Sequence, residues 1–388
     1  MARTRGVDVI VVAGFLAVIF GVGVAQAIRD VHYGDRPQAI EVFTRTPTAE
    51  NLRRYEKDLA EASCVERHLR PWTQYAEFVL LHDVGDKALM GRDGWFFYKP
   101  GVDYLTQRQP LPQASSAQGD PLAAIVSFRD QLAARGIRLL VVPVPNKESI
   151  YAEMLTRRAE GIDVALCPET RALLSQLAAA GVEVVDLFEA FAAAKRGRYG
   201  PDSAALYLAQ DSHWSPVGAE LAARLVAQRC VQRGWIRPGA ADYACKPLSF
   251  RRLGDVLQML QSPQVERHVE PEEVHARQVV DRSTGALCKD QPDAQVLVLG
   301  DSFLRVFEHD EPRAAGFLAH LARELKQPVA AVVSDGGAST LVRQDLYRRR
   351  GLLADKRLLI WEFVERDILS GAEGWQFVPL PPSPDNRR

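Results

Sequence analysis

From residue 121 onward the hydrophobic positions fall into a repeating order: a helical period, a short continuous apolar run, then a helical period again. The first such run is "IRLLVVPVP" (137–145). It is branched at the β-carbon and too short for a helix, so it predicts a buried strand. A helix near 121–135 precedes it. Another at about 168–180 precedes "VEVVDL" (182–187), and "ALYLAQ" (205–210) offers a further strand. "SPVGAELAARLVAQRCVQRG" predicts a helix with Ser215 at its N-cap and Pro216 at its first position, where a missing N–H costs nothing. Then come a strand running into a turn ("AQVLVLGDS"), a helix ("PRAAGFLAHLARELKQ"), a strand ending in two glycines ("PVAAVVSDGG"), a helix ("STLVRQDLYRRRG") and a last strand ("KRLLIWEFVERD"). Residues 236–294 show no clear period. Alternation of this kind predicts an α/β fold, a mostly parallel sheet with helices on both faces. In such sheets, sites lie at the carboxyl ends of the strands.

Before residue 91 the pattern differs. Arg3 and Arg5 precede "VIVVAGFLAVIFGVGVAQAI", and the 20 residues from Val9 to Ile28 carry no charge. That length spans a bilayer core as a helix. Basic residues before it and a mixed "RD" after it favour a cytoplasmic N-terminus, with the body of the chain across the membrane. A cleaved signal peptide competes, since Ala25-Gln26-Ala27 is an acceptable small-x-small site, and a buried soluble helix is a third reading. Residues 29–47 read as a polar tether and 48–83 as helical. "GRDGWFFYKPGVDYL" suggests a short strand or hairpin, and "PQASSAQGDP" a loop. The expected organisation is a signal-anchor at 1–28, a tether and helical lead-in at 29–90, a catalytic domain at 91–375 and a tail at 376–388.

Composition narrows the classes. Of 388 residues, 47% are hydrophobic and 25% charged, values of an ordinary globular protein. Lys+Arg number 48 against 49 Asp+Glu, so the basic excess of a nucleic-acid binder is missing. Cys64, Cys167, Cys230, Cys245 and Cys288 form no C-x-x-C pair, which leaves zinc and thioredoxin-like chemistry without support. In an oxidising compartment two disulfides are possible, and Cys230 with Cys245, flanking a Gly/Pro-rich turn, is the first pair to expect.

Three turns at predicted strand ends carry the chemistry. In "LVLGDSF" (297–303) Gly300 permits a tight turn and Ser302 follows at a helix start. A hydroxyl there can project into a cleft while turn N–H groups face a developing oxyanion. In "QDSHWSPVGAE" (210–220) His213 is suited to take a serine's proton near neutral pH. Asp211, two residues earlier on the same side of an extended segment, can fix the imidazole's tautomer. In "SDGGAST" (334–340) the unhindered N–H groups of Gly336 and Gly337 are candidate oxyanion donors. Each has a plainer reading beside it: a turn of small residues, a structural histidine, a helix-entry turn. Metal binding by Asp211 and His213 would need further ligands, and no such cluster stands in the sequence; no cofactor is called for. Trp214 reads as packing. Asn146 and Lys147 end the strand at 137–145 and are candidates to line the cleft. Arg366 reads as an ion-pair residue. Arg348, Arg349, Arg350, Lys356 and Arg357 read as a solvated helix end or a guide for an anionic polymer.

The block Gly300-Asp301-Ser302-Phe303, with a glycine turn one strand later, resembles the SGNH/GDSL hydrolase superfamily. That superfamily usually places Asp-x-x-His after the serine. Here the pair precedes it with Asp-x-His spacing, which resembles the alginate O-acetyltransferase family of AlgJ/AlgX type. "DGWFFYKPGVDYL", "VPVPNKESIYAEML", "DSHWSPVGA", "LGDVLQML", "LVLGDSFLRVF" and "IWEFVERDI" agree, from about residue 91 to 369. The anchored arrangement is similar to AlgJ-type more than AlgX-type members. The resemblance implies a three-layer α/β/α domain with Ser302 as nucleophile, His213 as base and Asp211 as orienter. It also implies acetyl transfer to an exported polysaccharide such as alginate, in the periplasm at the inner membrane. The acetyl group would come from a membrane-bound O-acyltransferase partner. One block departs: where the superfamily offers an Asn to the oxyanion, "LLIWEFVERD" has Glu362 and Phe363. An esterase with the same triad and a polysaccharide-binding scaffold with a dead fold are the rival readings.

Overall fold

A computed structural model of the chain describes residues 2–37, 40, 42–44, 46–106, 119–197, 205–370 and 374–382. Its strands, in chain order, are β1 (Ala88–Met90), β2 (Phe96–Tyr98), β3 (Arg138–Val144), β4 (Glu183–Val184), β5 (Tyr243–Arg252), β6 (Glu272–Asp281), β7 (Val296–Gly300), β8 (Ala330–Val333) and β9 (Leu358–Val364). Five of them form one sheet in the order β4-β3-β9-β7-β8, all parallel. The chain's last strand is therefore the middle strand of its sheet.

The continuous apolar runs explain why this sheet is buried on both sides, since successive side chains point to opposite faces. Leu140, Val142, Val144, Val298, Ile360 and Val364 enter one core. Helices Leu187–Arg196, Pro216–Gln232 and Phe317–Leu325 cover it. Leu139, Val141, Leu297, Leu299, Leu359, Trp361 and Phe363 enter the other. That core is covered by helices Pro121–Ala133, Pro168–Ala179 and Leu341–Arg348. The architecture is the expected three layers. Helix starts follow the chemistry of their caps. Asp120 accepts from the Leu122 N–H and Ser215 from the Gly218 N–H, each with proline just inside. Asp186 caps Leu187–Arg196 in the same way, which cuts the predicted strand at 182–187 down to Glu183–Val184.

Three other expectations are corrected. Residues 205–210 are no strand; only Tyr207 bridges Trp214, because the segment turns to deliver the residues after it. The unreadable stretch 236–294 contains a two-stranded antiparallel ribbon of β5 and β6, paired from Tyr243↔Asp281 to Arg252↔Glu272. Pro247 sits inside β5, which a ribbon with an open edge accepts and a central strand would not. Cys230 and Cys245 are both free thiols, as are Cys167 and Cys288. Cys230 is buried in helix Pro216–Gln232, while the Cys245 sulfur accepts from Arg323 (2.7 Å). The side chain of Cys64 and most of the loop at 112–121 lie outside the described residues.

The chain divides into two compact units, Met1–Asp83 with Gln261–Val269, and Val84–Leu260 with Glu270–Arg388. The first unit is helical. Its first helix, Ala2–Tyr33, contains a span from Val9 to Tyr33 long and apolar enough to cross a membrane, and that helix runs beyond the predicted end at Ile28. In the second unit, residues 376–382 lie against helix Pro121–Ala133, where Gln131 accepts from the Leu380 N–H.

Candidate active site

Ser302 begins the short helix Ser302–Arg305 directly after β7, at the carboxyl edge of the sheet. Asp301 caps that helix through the Phe303 N–H (2.9 Å), and its own N–H donates to Glu362 Oε2 on β9 (3.1 Å). A Cβ at position 300 would stand 2.2 Å from that same oxygen, so only glycine fits where the strand turns.

His213 arrives from the other direction, on the extended segment before helix Pro216–Gln232. Its Nε2 lies 2.8 Å from Ser302 Oγ and its Nδ1 2.7 Å from Asp211 Oδ1. With Nδ1–H donating to the carboxylate, Nε2 is the acceptor for the serine hydroxyl. The structure thus joins the pair Asp211 and His213 to a serine 89 positions beyond the histidine (302 − 213) in one hydrogen-bonded line. Trp214 packs, as its neighbours suggest: it is fully buried, edge-on to Phe303 and stacked on Phe317, with its indole N–H donating to the Phe303 carbonyl.

Asp211 is itself held on every side. Oδ2 accepts from Arg252 Nε (2.9 Å) and the Asp255 N–H (3.3 Å), and Oδ1 also accepts from the His213 N–H (3.1 Å). Burial works against its charge, but the His213 hydrogen bond, His213's own charge and Arg252 outweigh it. They hold the carboxyl well below the usual range. Burial likewise opposes a charged His213, yet Asp211, Asp255 and Asp301 together raise its pKa above the ordinary 6.5.

Arg252 and Asp255 are functional neighbours that residue-type reasoning left unassigned. Asp255 accepts from the Ser212 N–H and hydroxyl (2.6 Å each) and so clamps the residue between Asp211 and His213. The only sequence signal was "LGDVLQML", quoted for its resemblance without a role. Gly254 within it packs against the Gln210 backbone, where a Cβ would be 2.0 Å from the carbonyl oxygen. Ligand-type atoms of Asp211, His213 and Asp255 do lie within 4.8 Å of one another. In this structure the three are joined by hydrogen bonds to Arg252, Ser212 and each other.

The other predicted cleft residues separate. Lys147 is buried and does not face a cleft. Its ammonium donates to the carbonyls of Phe96 (2.6 Å), Ala209 (2.8 Å) and Asp211 (3.0 Å), using all three protons. Burial lowers its pKa to about 8. Its work is to tie the Asp211 segment to β2. Asn146 is buried too, with its N–H on Glu365 Oε2 (3.1 Å) and its side-chain oxygen accepting from the Arg366 N–H. Gly337 donates its N–H to the Ser334 carbonyl (2.9 Å), which removes it as an oxyanion donor. Gly336, at φ +64°, sits in the same turn. That turn is tied to the Ser302 segment by Ser334 N–H to Gly300 O (3.0 Å) and by Asp335 on Arg305 (3.0 Å). Arg366 lies over the rings of Tyr98 (5.0 Å) and Phe303 (5.9 Å), a stacked setting beyond the ion pair expected. In the basic run, Arg348 pairs with Asp345, while Lys356 is buried and donates to the Pro292 carbonyl (2.6 Å).

Comparison with known proteins gives the family and the fold. Residues 88–365 match the family model described as an SGNH hydrolase-like domain, acetyltransferase AlgX. The probable alginate O-acetylase AlgJ of Pseudomonas aeruginosa is 23% identical over 316 residues, which is 78% of this chain and 75% of that protein. The AlgJ of Pseudomonas putida is 24% identical over 302 residues, 75% and 72% respectively. Among solved structures, the O-acetyltransferase domain of Pseudomonas putida AlgJ aligns with a TM-score of 0.56 at 22% identity, covering 72% of this chain and 91% of that one. Pseudomonas aeruginosa AlgX aligns at 0.51 and 19% identity, over 71% and 62%.

Proposed function

Because the chain belongs to the SGNH hydrolase-like acetyltransferase family whose model spans residues 88–365, we propose that it carries an acetyl group on Ser302 and delivers it to hydroxyls of an exported polysaccharide, alginate first among them. The observation that carries this reading is the line Ser302 Oγ, His213 Nε2, His213 Nδ1, Asp211 Oδ1, closed at 2.8 and 2.7 Å.

In the first half-reaction His213 Nε2 takes the Ser302 proton as Oγ bonds to the acetyl carbonyl carbon. The tetrahedral oxyanion is met by N–H donors at the nucleophile turn, with Ser302 itself and Gly336 the candidates. Collapse expels the donor's oxygen, which leaves with the proton from His213. In the second half-reaction a sugar hydroxyl gives its proton to His213 and attacks the acyl carbon. Ser302 Oγ then leaves and recovers a proton. Asp211, pinned by Arg252, keeps the imidazole in the one tautomer that can do both.

The apolar helix supports an anchor that leaves the catalytic unit in the periplasm at the inner membrane. A membrane-bound O-acyltransferase is the partner that would bring acetyl groups to it, and tethering raises the local concentration of one for the other. The test is an intact-mass measurement after exposure to an activated acetyl ester. Wild type gains one acetyl group on Ser302, and Ser302→Ala gains none. Adding a mannuronate oligosaccharide then yields acetylated sugar. Release of free acetate alone would make the chain an esterase and overturn the transfer reading.

A further inference from the structure

In the first unit, helix Cys64–Leu81 presents a row of apolar residues to the outside. Leu69, Trp72, Ala76, Val79 and Leu80 recur at spacings of three and four, so they form one stripe along one side; Leu81, at the helix end, lies off it. The large ones, Leu69, Trp72, Val79, Leu80 and Leu81, are between 41% and 76% exposed. The opposite side is already used: Tyr75 and Phe78 pack edge-on against His268, with ring centroids 5.7 and 5.9 Å apart. The helix is thus apolar on two sides with only one covered. Contiguous exposed apolar surface of this kind marks a contact with a partner or a membrane.

Its neighbour says which. The apolar helix Ala2–Tyr33 touches this helix at its far end, where Gln26 and Asp30 are buried and hydrogen-bonded to each other (2.7 Å). Gln26, Arg29, Asp30, Tyr33 and Arg36 share a surface cavity of about 500 Å³ with Ala62 and Arg67. Polar and aromatic groups gathered in the last turns of an apolar span belong at the headgroup level, and Arg29 stacked over Tyr33 (5.6 Å) fits that level too. Arg67, at the start of the stripe-bearing helix, therefore stands where the bilayer ends. His68 and Arg70 flank the stripe, Arg70 in an exposed ion pair with Glu66 that anionic headgroups can compete for. Trp72, with an apolar body and one polar N–H, is the residue type that settles at that boundary.

We propose that helix Cys64–Leu81 lies on the bilayer surface, with the stripe Leu69, Trp72, Val79 and Leu80 inserted among phospholipid headgroups and upper acyl chains. It is a second membrane contact beside the span Val9–Tyr33, and it rests on that span's being the anchor. Two contacts hold a peripheral unit against a membrane where one alone leaves it free to swing.

The test uses the full chain in lipid nanodiscs containing phosphatidylglycerol and phosphatidylcholine brominated at shallow or deep acyl positions. Trp72 emission is read as the difference between wild type and Trp72→Phe. Shallow bromines should quench that difference roughly twofold or more, and deep ones less, given an insertion depth of about 5–10 Å. The double variant Leu69→Glu, Leu80→Glu, checked for helix content by circular dichroism, should stay on the disc and lose the quenching. A Trp72 signal equal in brominated and plain discs overturns the proposal, whether mass then shows two chains per disc joined through the stripe or one chain with the stripe in water. A chain that does not co-elute with the discs overturns it together with the anchor reading. Co-elution without quenching removes only the surface contact.

Discussion

At the residue scale, the site works by setting two buried groups against each other. Asp211 is kept ionised by His213 and Arg252, and that charge is what raises His213. A base must be neutral to take a proton, so turnover should rise with pH through an apparent pKa above 6.5. Asp211→Asn removes the carboxylate's contribution and leaves the burial that depresses the imidazole. The acid limb should then move to lower pH. The rate should fall by about 10³- to 10⁴-fold, because the amide favours the wrong tautomer. A pH profile of acetyl transfer for both proteins checks the two effects separately. A limb that stays in place would mean His213 is not the titrating base.

At the element scale, β9 holds the turn that carries Ser302. Glu362 occupies a position that alternation assigns to the apolar face shared with Ile360 and Val364. One oxygen accepts from the Asp301 N–H and the other, fully buried, has no partner among the described residues. Burial, then the Asp301 charge, pushes its pKa well above the carboxylate range, so it sits there as a neutral acid. Glu362→Gln keeps an acceptor of the same shape and should transfer acetyl at near wild-type rate. Glu362→Ala leaves the Asp301 N–H unpaired beside a cavity and should lower kcat about 10- to 100-fold with KM little changed, the loss expected of about 1–3 kcal/mol. Steady-state kinetics of the two variants decide it. This residue also marks where reading the chain stops. Ser302, His213 and Asp211 stood out because a hydroxyl, an imidazole and a carboxylate fall together at predicted strand ends, although each alone has a plainer reading. Continuous runs such as "LLVVPV" showed their strands because only a sheet covered on both faces wants such a run. Glu362 looked like a missing asparagine, since its partner Asp301 is 61 positions away and only strand order brings them together. The ribbon of β5 and β6, which supplies Arg252, was hidden for the same reason: Pro247 and the alternating polar residues suit a half-exposed pair whose register no local signal announces.

At the scale of the whole molecule, the larger unit keeps several acids out of water near the carboxyl edge of its sheet. Glu148 is buried, and burial first, then the Glu365 charge, raises its pKa to about 7 against Arg366, which pulls the other way. The folded chain thus retains a proton that the unfolded chain releases. Its stabilising share is whole below about 4.5 and is lost as pH climbs through about 7. Glu148→Gln does not titrate, so it should melt at a higher temperature than wild type above pH 7, by an amount on the order of 1–3 kcal/mol. Below pH 4.5 the two should converge. Melting curves at both extremes test this, and a constant offset would show that Glu148 does not titrate with folding.

The position of β9 has one more consequence. Arg138–Val144 and Val296–Gly300 have no common edge until Leu358–Val364 slides between them. A ribosome releases that segment after the other two. A nascent chain that already contains Ser302 and His213 therefore carries raw, sticky strand edges and no working chemistry. Without Leu358–Val364 the turn that carries Ser302 also loses its Glu362 acceptor, so a chain cut short of residue 358 should show no acetyl transfer.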